Sequence, residues 1–222
     1  MDTPELVLFD LDGTLVDSVP DLAYSVDLAL RQLDMPTHGE EKIRSWVGRG
    51  AEKLIHAALT GGFNGTADAD LFKKCFDLFS DIYLSNTDSR STLYPGVRDG
   101  LDHMTKLNCK LACVTNKREL FTAPVLKAMN LQHDFSYVIS GDTLPKKKPE
   151  PDQLLFVADK LGIAPERSLM VGDSINDLHA ARAAQMPILC VTYGYNHGDN
   201  IADSKPDILV DSLAEMIELF PQ

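Results

Sequence analysis

The feature that most constrains this chain is a rhythm of short apolar runs, each stopped by polar residues. From Pro95-Gly96 onward, runs at residues 111–114, 137–140, 168–171, 188–191 and 208–210 alternate with helical periodicities near 97–107, 120–129, 153–161 and 177–184. Runs of three or four residues bounded by turn formers predict buried strands. Strands that alternate with helices predict a parallel sheet covered on both faces, a doubly wound α/β fold. An earlier run, Leu6-Val7-Leu8-Phe9, ends in Asp10-Leu11-Asp12-Gly13-Thr14 and is expected to join that sheet.

Residues 16–93 interrupt the rhythm with helical patterns almost exclusively. Pro20 and Asp21 can open a helix whose apolar positions Leu22, Val26, Ala29, Leu30 and Leu33 share one face, and further helices are expected at 42–47, 51–59 and 69–83. In the last, Leu71, Phe72, Cys75, Phe76, Phe79, Ile82 and Tyr83 form an apolar stripe, whose spacing reads as helix packing. Periodicity leaves open whether that stripe packs internally or against a second subunit. The expected division is an α/β core of residues 1–15 and 94–222 with an all-helical insertion at 16–93.

Charge and composition narrow the function. With 21 basic and 33 acidic residues the net charge is −12, which repels nucleic acid and anionic membrane. An anionic substrate must then be held by local cations or a metal. No apolar run approaches the roughly 18 residues of a membrane span. Asp2 and Glu5 stand where a secretory leader would carry Lys or Arg. Cys75, Cys109, Cys113 and Cys190 form no Cys-x-x-Cys pair, and Cys113 and Cys190 lie in apolar runs, which predicts reduced thiols. A cytoplasmic protein is expected.

The residues that follow the strands carry the chemistry. Asp10 and Asp12 come after the first, Thr115, Asn116 and Lys117 after 111–114, and Gly172, Asp173, Ser174 and Asp177 after 168–171. Ligands of such sheets bind outside the carboxyl ends of the strands. Converging carboxylates repel unless a cation compensates them, and oxygen ligands without His or Cys point to Mg²⁺. A hydroxyl, an amide and a lysine, with Lys148 a further candidate, suit the oxygens of a phosphoryl group. Together they read as phosphoryl transfer on a small phosphorylated metabolite.

Other patterns are set aside. Asp12-Gly13 alone is a turn dipeptide, and an EF-hand would need Gly at Leu15 and Glu at Asp21. Lys146-Lys147-Lys148 alone would be a solvated charge run. Gly48-Arg49-Gly50 has Lys53 where a dinucleotide fingerprint has its third glycine, and it follows no strand. There is no Gly-x-x-x-x-Gly-Lys-Ser/Thr loop, and the six histidines make no His-Glu-x-x-His.

Taken in order, Asp10-Leu11-Asp12-Gly13-Thr14-Leu15, Val114-Thr115-Asn116-Lys117, Lys148-Pro149-Glu150-Pro151 and Gly172-Asp173-Ser174-Ile175-Asn176-Asp177 resemble the four motifs of the haloacid dehalogenase superfamily. Connecting stretches 46–51, 140–144, 161–167 and 192–196 are similar to those of bacterial phosphoglycolate phosphatases. The resemblance covers essentially the whole chain and implies a Rossmann-like core with a helical cap inserted after the first motif. It implies Asp10 as nucleophile forming a phosphoaspartyl intermediate, and Asp12 as acid and then base. It further implies Mg²⁺ held by the Asp10 carboxylate, the Asp12 backbone carbonyl and Asp173. Thr115 and Asn116 would bind phosphoryl oxygens, Lys148 would neutralise charge, Asp177 would orient Lys148 or a metal-bound water, and Gly13 would permit close backbone approach.

A partner for a substrate carboxylate is sought in the cap, where Arg49, with Lys53 beside it, is the candidate. The alternatives are a sugar-phosphate phosphatase or phosphomutase of the same architecture. More remote is a phospho-receiver domain, which lacks a use for Asp12. A dehalogenase needs neither Asp12 nor the implied metal.

Overall fold

The computed structural model describes residues 2–87 and 89–221. Its centre is a six-stranded sheet built from β1 (Leu6–Phe9), β4 (Lys110–Val114), β5 (Tyr137–Ile139), β6 (Ser168–Gly172), β7 (Ile188–Val191) and β8 (Ile208–Val210). The order across it is β5-β4-β1-β6-β7-β8, and every neighbouring pair is parallel. Strand β1 sits in the middle, with all four side chains fully buried. Alternation sends Val7 and Phe9 into one apolar cluster and Leu6 and Leu8 into the other, which is why the run is continuous rather than amphipathic.

Helices cover both faces. On one lie α5 (Val97–Lys106) and α6 (Glu119–Ala128), through Leu101, Met104, Phe121 and Val125. On the other lie α7 (Asp152–Leu161) and α8 (Ile175–Ala183), through Leu154, Val157, Leu178 and Ala181. This is the doubly wound arrangement that the alternation of patterns predicts.

Between β1 and the rest of the sheet come four helices, α1 (Val19–Gln32), α2 (Glu40–Arg44), α3 (Ala51–Thr60) and α4 (Ala69–Leu84). Asp68 caps α4, its carboxylate accepting from the N–H groups of Asp70 and Leu71 at 3.0 and 3.1 Å. The α4 stripe packs as its spacing predicts, with Cys75, Phe79 and Tyr83 buried. Helix α2 differs from the expected 42–47. It starts at Glu40 behind Gly39 and stops at Arg44, and the Ser45 hydroxyl turns back to the Lys42 carbonyl at 2.7 Å. Trp46 and Val47 are buried from a loop instead.

The insertion is entered and left through a two-stranded antiparallel ribbon, β2 (Val16–Asp17) with β3 (Thr92–Leu93), which pairs Val16 with Leu93. Two residues are too few to show alternation, so sequence pattern gives no sign of it. All four cysteines are buried and unpaired. No helix among the described residues is long and apolar enough to cross a membrane.

Candidate active site

The parallel register sets Phe9 opposite Cys113 on one side and Val171 on the other. Whatever follows these residues emerges at one edge, and Asp10 is fixed there by its own N–H, which donates to the Val171 carbonyl at 2.9 Å. Its Oδ1 accepts from the Leu11 N–H at 2.7 Å and lies 2.9 Å from Lys148 Nζ.

Lys148, carried beyond β5 on the loop leading to α7, is almost fully buried. It donates to the Val114 carbonyl at 2.7 Å and lies 2.7 Å from Asp177 Oδ1. Burial opposes its charge, but Asp10 and Asp177 outweigh that and hold it above the ordinary lysine range. Asp177 is fixed in turn by the first turn of α8, where its Oδ2 accepts from the Ser174 N–H and hydroxyl at 3.1 and 2.7 Å.

Asp173, directly after β6, accepts from the Thr14 hydroxyl at 2.9 Å and from the Tyr195 N–H at 2.8 Å. Gly13 approaches it so closely, with φ +91°, that a Cβ there would lie 2.4 Å from Asp173 Oδ2. Oxygens of Asp10, Asp173 and Asp177 all fall within 4.8 Å of one another. Burial, Lys148 notwithstanding, and the nearby Asp177 push the Asp10 carboxyl up to about 7. Burial with Asp177 and Asp10 pushes Asp173 well above the carboxylate range. With all three ionised, three carboxylates against one ammonium leave two negative charges uncompensated. A hard divalent cation with oxygen ligands cancels that excess, so the donor set fits Mg²⁺.

The Asp12 carboxylate lies apart from that cluster. It accepts from the Ser18 hydroxyl at 2.6 Å and from Lys117 Nζ at 3.0 and 2.9 Å, which leaves the backbone carbonyl as the part of Asp12 able to serve a metal. Burial opposes the Lys117 charge as well, and Asp12 and Tyr83 together raise it above the ordinary range.

Thr115 accepts from the Lys117 N–H at 3.1 Å. Asn116 donates to the carbonyls of Lys148 and Gly48 at 2.8 and 3.2 Å, tying the sheet edge to the insertion. Its Oδ1 is buried with no partner among the described residues. Asp10, Asp12, Thr115, Asn116 and Lys117 line one narrow cavity, roofed by Leu22, Leu54, Phe79 and Tyr83 of the inserted helices.

Arg49 and Lys53 are not in that cavity. Arg49 is exposed, its guanidinium 4.3 Å from the Phe63 ring centroid, and with Lys53, Lys147 and Lys148 it lines a neighbouring cleft. Sequence reasoning gave no role to Ser18, Tyr83 or Tyr195 and no partner to Lys117. The α4 stripe carried the only sign of Tyr83, as packing, while Lys117 was visible beside Asn116 in the motif after β4.

The arrangement offers a buried carboxylate beside an ammonium, a second carboxylate two residues on, and a cation site, the parts of phosphoryl transfer through aspartate. Comparisons with known proteins agree. The chain is 50% identical over 219 residues to the phosphoglycolate phosphatase of Nitrosococcus oceani, covering 99% of this chain and 97% of that protein. It is 46% identical to the phosphoglycolate phosphatase of Pseudomonas putida, covering 96% and 79%. The crystal structure of a predicted phosphoglycolate phosphatase from Haemophilus somnus superposes with a TM-score of 0.93 at 37% identity, covering 99% of both chains. The family model described as haloacid dehalogenase-like hydrolase matches residues 7–191, and the chain belongs to that family.

Proposed function

We propose that this protein is a Mg²⁺-dependent phosphatase that hydrolyses 2-phosphoglycolate to glycolate and phosphate. The observation that carries the chemistry is the Asp10 carboxylate on Lys148, which it shares with Asp177, within the Asp10–Asp173–Asp177 cluster, with Asp12 two residues on and held by Lys117. The similarity to phosphoglycolate phosphatases supports the substrate.

In the first half-reaction an Asp10 oxygen bonds to phosphorus while the bridging P–O bond breaks, and the departing alkoxide takes a proton from Asp12. The Thr115 hydroxyl and the Asn116 backbone N–H would donate to phosphoryl oxygens, the Asn116 side-chain amide being taken up by the Lys148 and Gly48 carbonyls, and Lys148 favours the charged form of Asp10 and holds it in place. In the second half-reaction Asp12 removes a proton from water as its oxygen bonds to phosphorus, and the Asp10–phosphorus bond breaks. The Asp10 and Asp173 carboxylates and the Asp12 carbonyl would hold Mg²⁺, with Asp177 beside them. When bound, the cation offsets charge on the transferred group.

Residues 16–93 act as a cap that opens to admit the ester and closes to exclude bulk water, with hinges at the β2–β3 ribbon. The four unpaired cysteines suit a reducing compartment, the cytoplasm.

The test is phosphate release with Mg²⁺ from 2-phosphoglycolate, sugar phosphates and an aryl phosphate, comparing wild type with Asp10→Asn. The expected result is a clear preference for 2-phosphoglycolate by kcat/KM and a dead variant. A different preferred ester would remove the substrate, and an active variant would remove the nucleophile.

A further inference from the structure

In the reaction proposed above, Asp12 protonates the bridging oxygen of the ester. One methylene beyond that oxygen, 2-phosphoglycolate carries its carboxylate. The group that receives it must therefore stand next to Asp12, inside the cavity and not at its mouth.

Lys117 stands there. It is 6% exposed, its Nζ lies 2.9 and 3.0 Å from the two Asp12 oxygens, and it is the one cationic side chain lining the cavity among the described residues. An ammonium has three donors, and the Asp12 carboxylate accounts for two. On the cap side is Tyr83 of α4, fully buried, with Lys117 Nζ 5.0 Å from its ring centroid. Its oxygen faces the Lys117 ammonium, but no acceptor among the described residues meets its O–H, an arrangement that costs stability until something accepts from it. Burial pushes this phenol up to about 12, so it keeps its proton and remains a donor. The other cap side chains that line the cavity, Leu22, Val47, Ala51, Leu54 and Phe79, are apolar, and a carboxylate among them is stable only where a cation and a donor meet it.

We infer that Lys117 and Tyr83 together receive the carboxylate of the substrate and set specificity for a phosphate ester bearing an acid one methylene away. The inference rests on the phosphoglycolate reading. One donor belongs to the sheet edge and the other to the cap, so a carboxylate held by both ties the two across the cleft. A neutral amide offers the Tyr83 hydroxyl only an uncharged carbonyl, a weaker acceptor than a carboxylate, and gives the Lys117 ammonium no opposite charge to hold. The exposed Arg49, stacked on Phe63 along the neighbouring cleft, is not needed for this discrimination.

The experiment measures kcat/KM for 2-phosphoglycolate and for its neutral isostere 2-phosphoglycolamide, in wild type, Lys117→Met, Tyr83→Phe and Arg49→Leu. The expected acid-over-amide preference falls about 100-fold in Lys117→Met, because a site built for a polar group loses its discrimination with its partner. It falls about 10-fold in Tyr83→Phe, which keeps the ring against Phe79 and Phe121 and removes only the donor. It is unchanged in Arg49→Leu. A wild-type preference that survives in Tyr83→Phe, or in a folded Lys117→Met, overturns the inference while the substrate reading stands. So does a collapse in Arg49→Leu, which would move the carboxylate to the outer cleft. Indifference of the wild type to the acid–amide exchange would remove the substrate reading itself. If Lys117→Met does not fold, Tyr83→Phe decides alone.

Discussion

Lys148 Nζ lies 2.9 Å from Asp10 Oδ1, and the same ammonium lies 2.7 Å from Asp177, so one buried cation is shared by two carboxylates. Removing one partner of a buried ionic group leaves the others uncompensated, which costs about 3–5 kcal/mol. Lys148→Met is therefore expected to lose stability by that order in urea unfolding at pH 8 without Mg²⁺. Its kcat is expected to fall by about 10² to 10³, because the charge beside the attacking carboxylate is gone. Wild-type kcat in a folded Lys148→Met protein would show that the pair is structural only.

The carboxylate cluster makes stability depend on pH in a defined direction. Asp10, pushed up to about 7 by burial, and Asp173, raised well above its ordinary 3.8, bind protons more tightly folded than unfolded. Without metal the folded state then loses stability as pH rises from about 4 through 7, since it binds more protons than the unfolded chain. Mg²⁺ binds the charged form and reverses this loss. The expected thermal shift on adding saturating Mg²⁺ is small at pH 5 and about 5 °C or more at pH 8. Equal shifts at the two pH values would count against a cation held by this cluster.

Gly194 tests how tightly Asp173 is held. A Cβ at Gly194 would meet the Asp173 Cβ at 2.0 Å, a contact that only a shift of one backbone can relieve. Gly194→Ala is expected to keep the fold while displacing the carboxylate. The Mg²⁺ concentration for half-maximal binding, followed by calorimetric titration, should rise at least about 10-fold, as when metal-site supports are lost elsewhere. An unchanged binding isotherm would remove Asp173 from the proposed ligand set.

Most of the fold was legible because its central strands are buried on both faces and its edge strands are still short apolar runs. The runs at Leu6–Phe9, Ile188–Val191 and Ile208–Val210 coincide with β1, β7 and β8, and turn residues mark their ends. Asp10, Asp173 and Lys148 were legible for a related reason, as each lies just after a strand or on the loop leading away from one. The partnerships were not. Lys117 is 105 residues from Asp12, and the Tyr195 hydroxyl meets Ser18 across 177 residues, so neither spacing nor periodicity encodes them. Tyr83 shows the limit of a helical stripe, since the pattern places its face inward without saying that the end of that face roofs a cavity.

Tyr195 joins the carboxylate cluster to the proposed hinge at the β2–β3 ribbon. Its N–H donates to Asp173 Oδ2 at 2.8 Å, while its hydroxyl accepts from the Ser18 N–H at 2.9 Å and donates to Asp17 Oδ1 at 2.8 Å, at the point where β2 passes into α1. Arg44 of α2 closes the group from the cap, 3.0 Å from Asp17 and 5.2 Å from the Tyr195 ring centroid. Tyr195→Phe keeps the ring and the contact with Asp173 but removes the hydroxyl, leaving the Ser18 N–H and the Asp17 carboxylate without it. The expected loss is about 1–3 kcal/mol of local stability, felt at the hinge and not in the sheet. In hydrogen exchange the amides of Ser18 and Val19 should exchange about 5-fold to 100-fold faster, while those of β1 and β6 keep their wild-type rates. A looser hinge closes the cap less completely, so kcat should fall with little change in Mg²⁺ affinity. Faster exchange spread evenly over hinge and sheet would mean that the hydroxyl supports the whole fold and that the hinge has no stability of its own to lose.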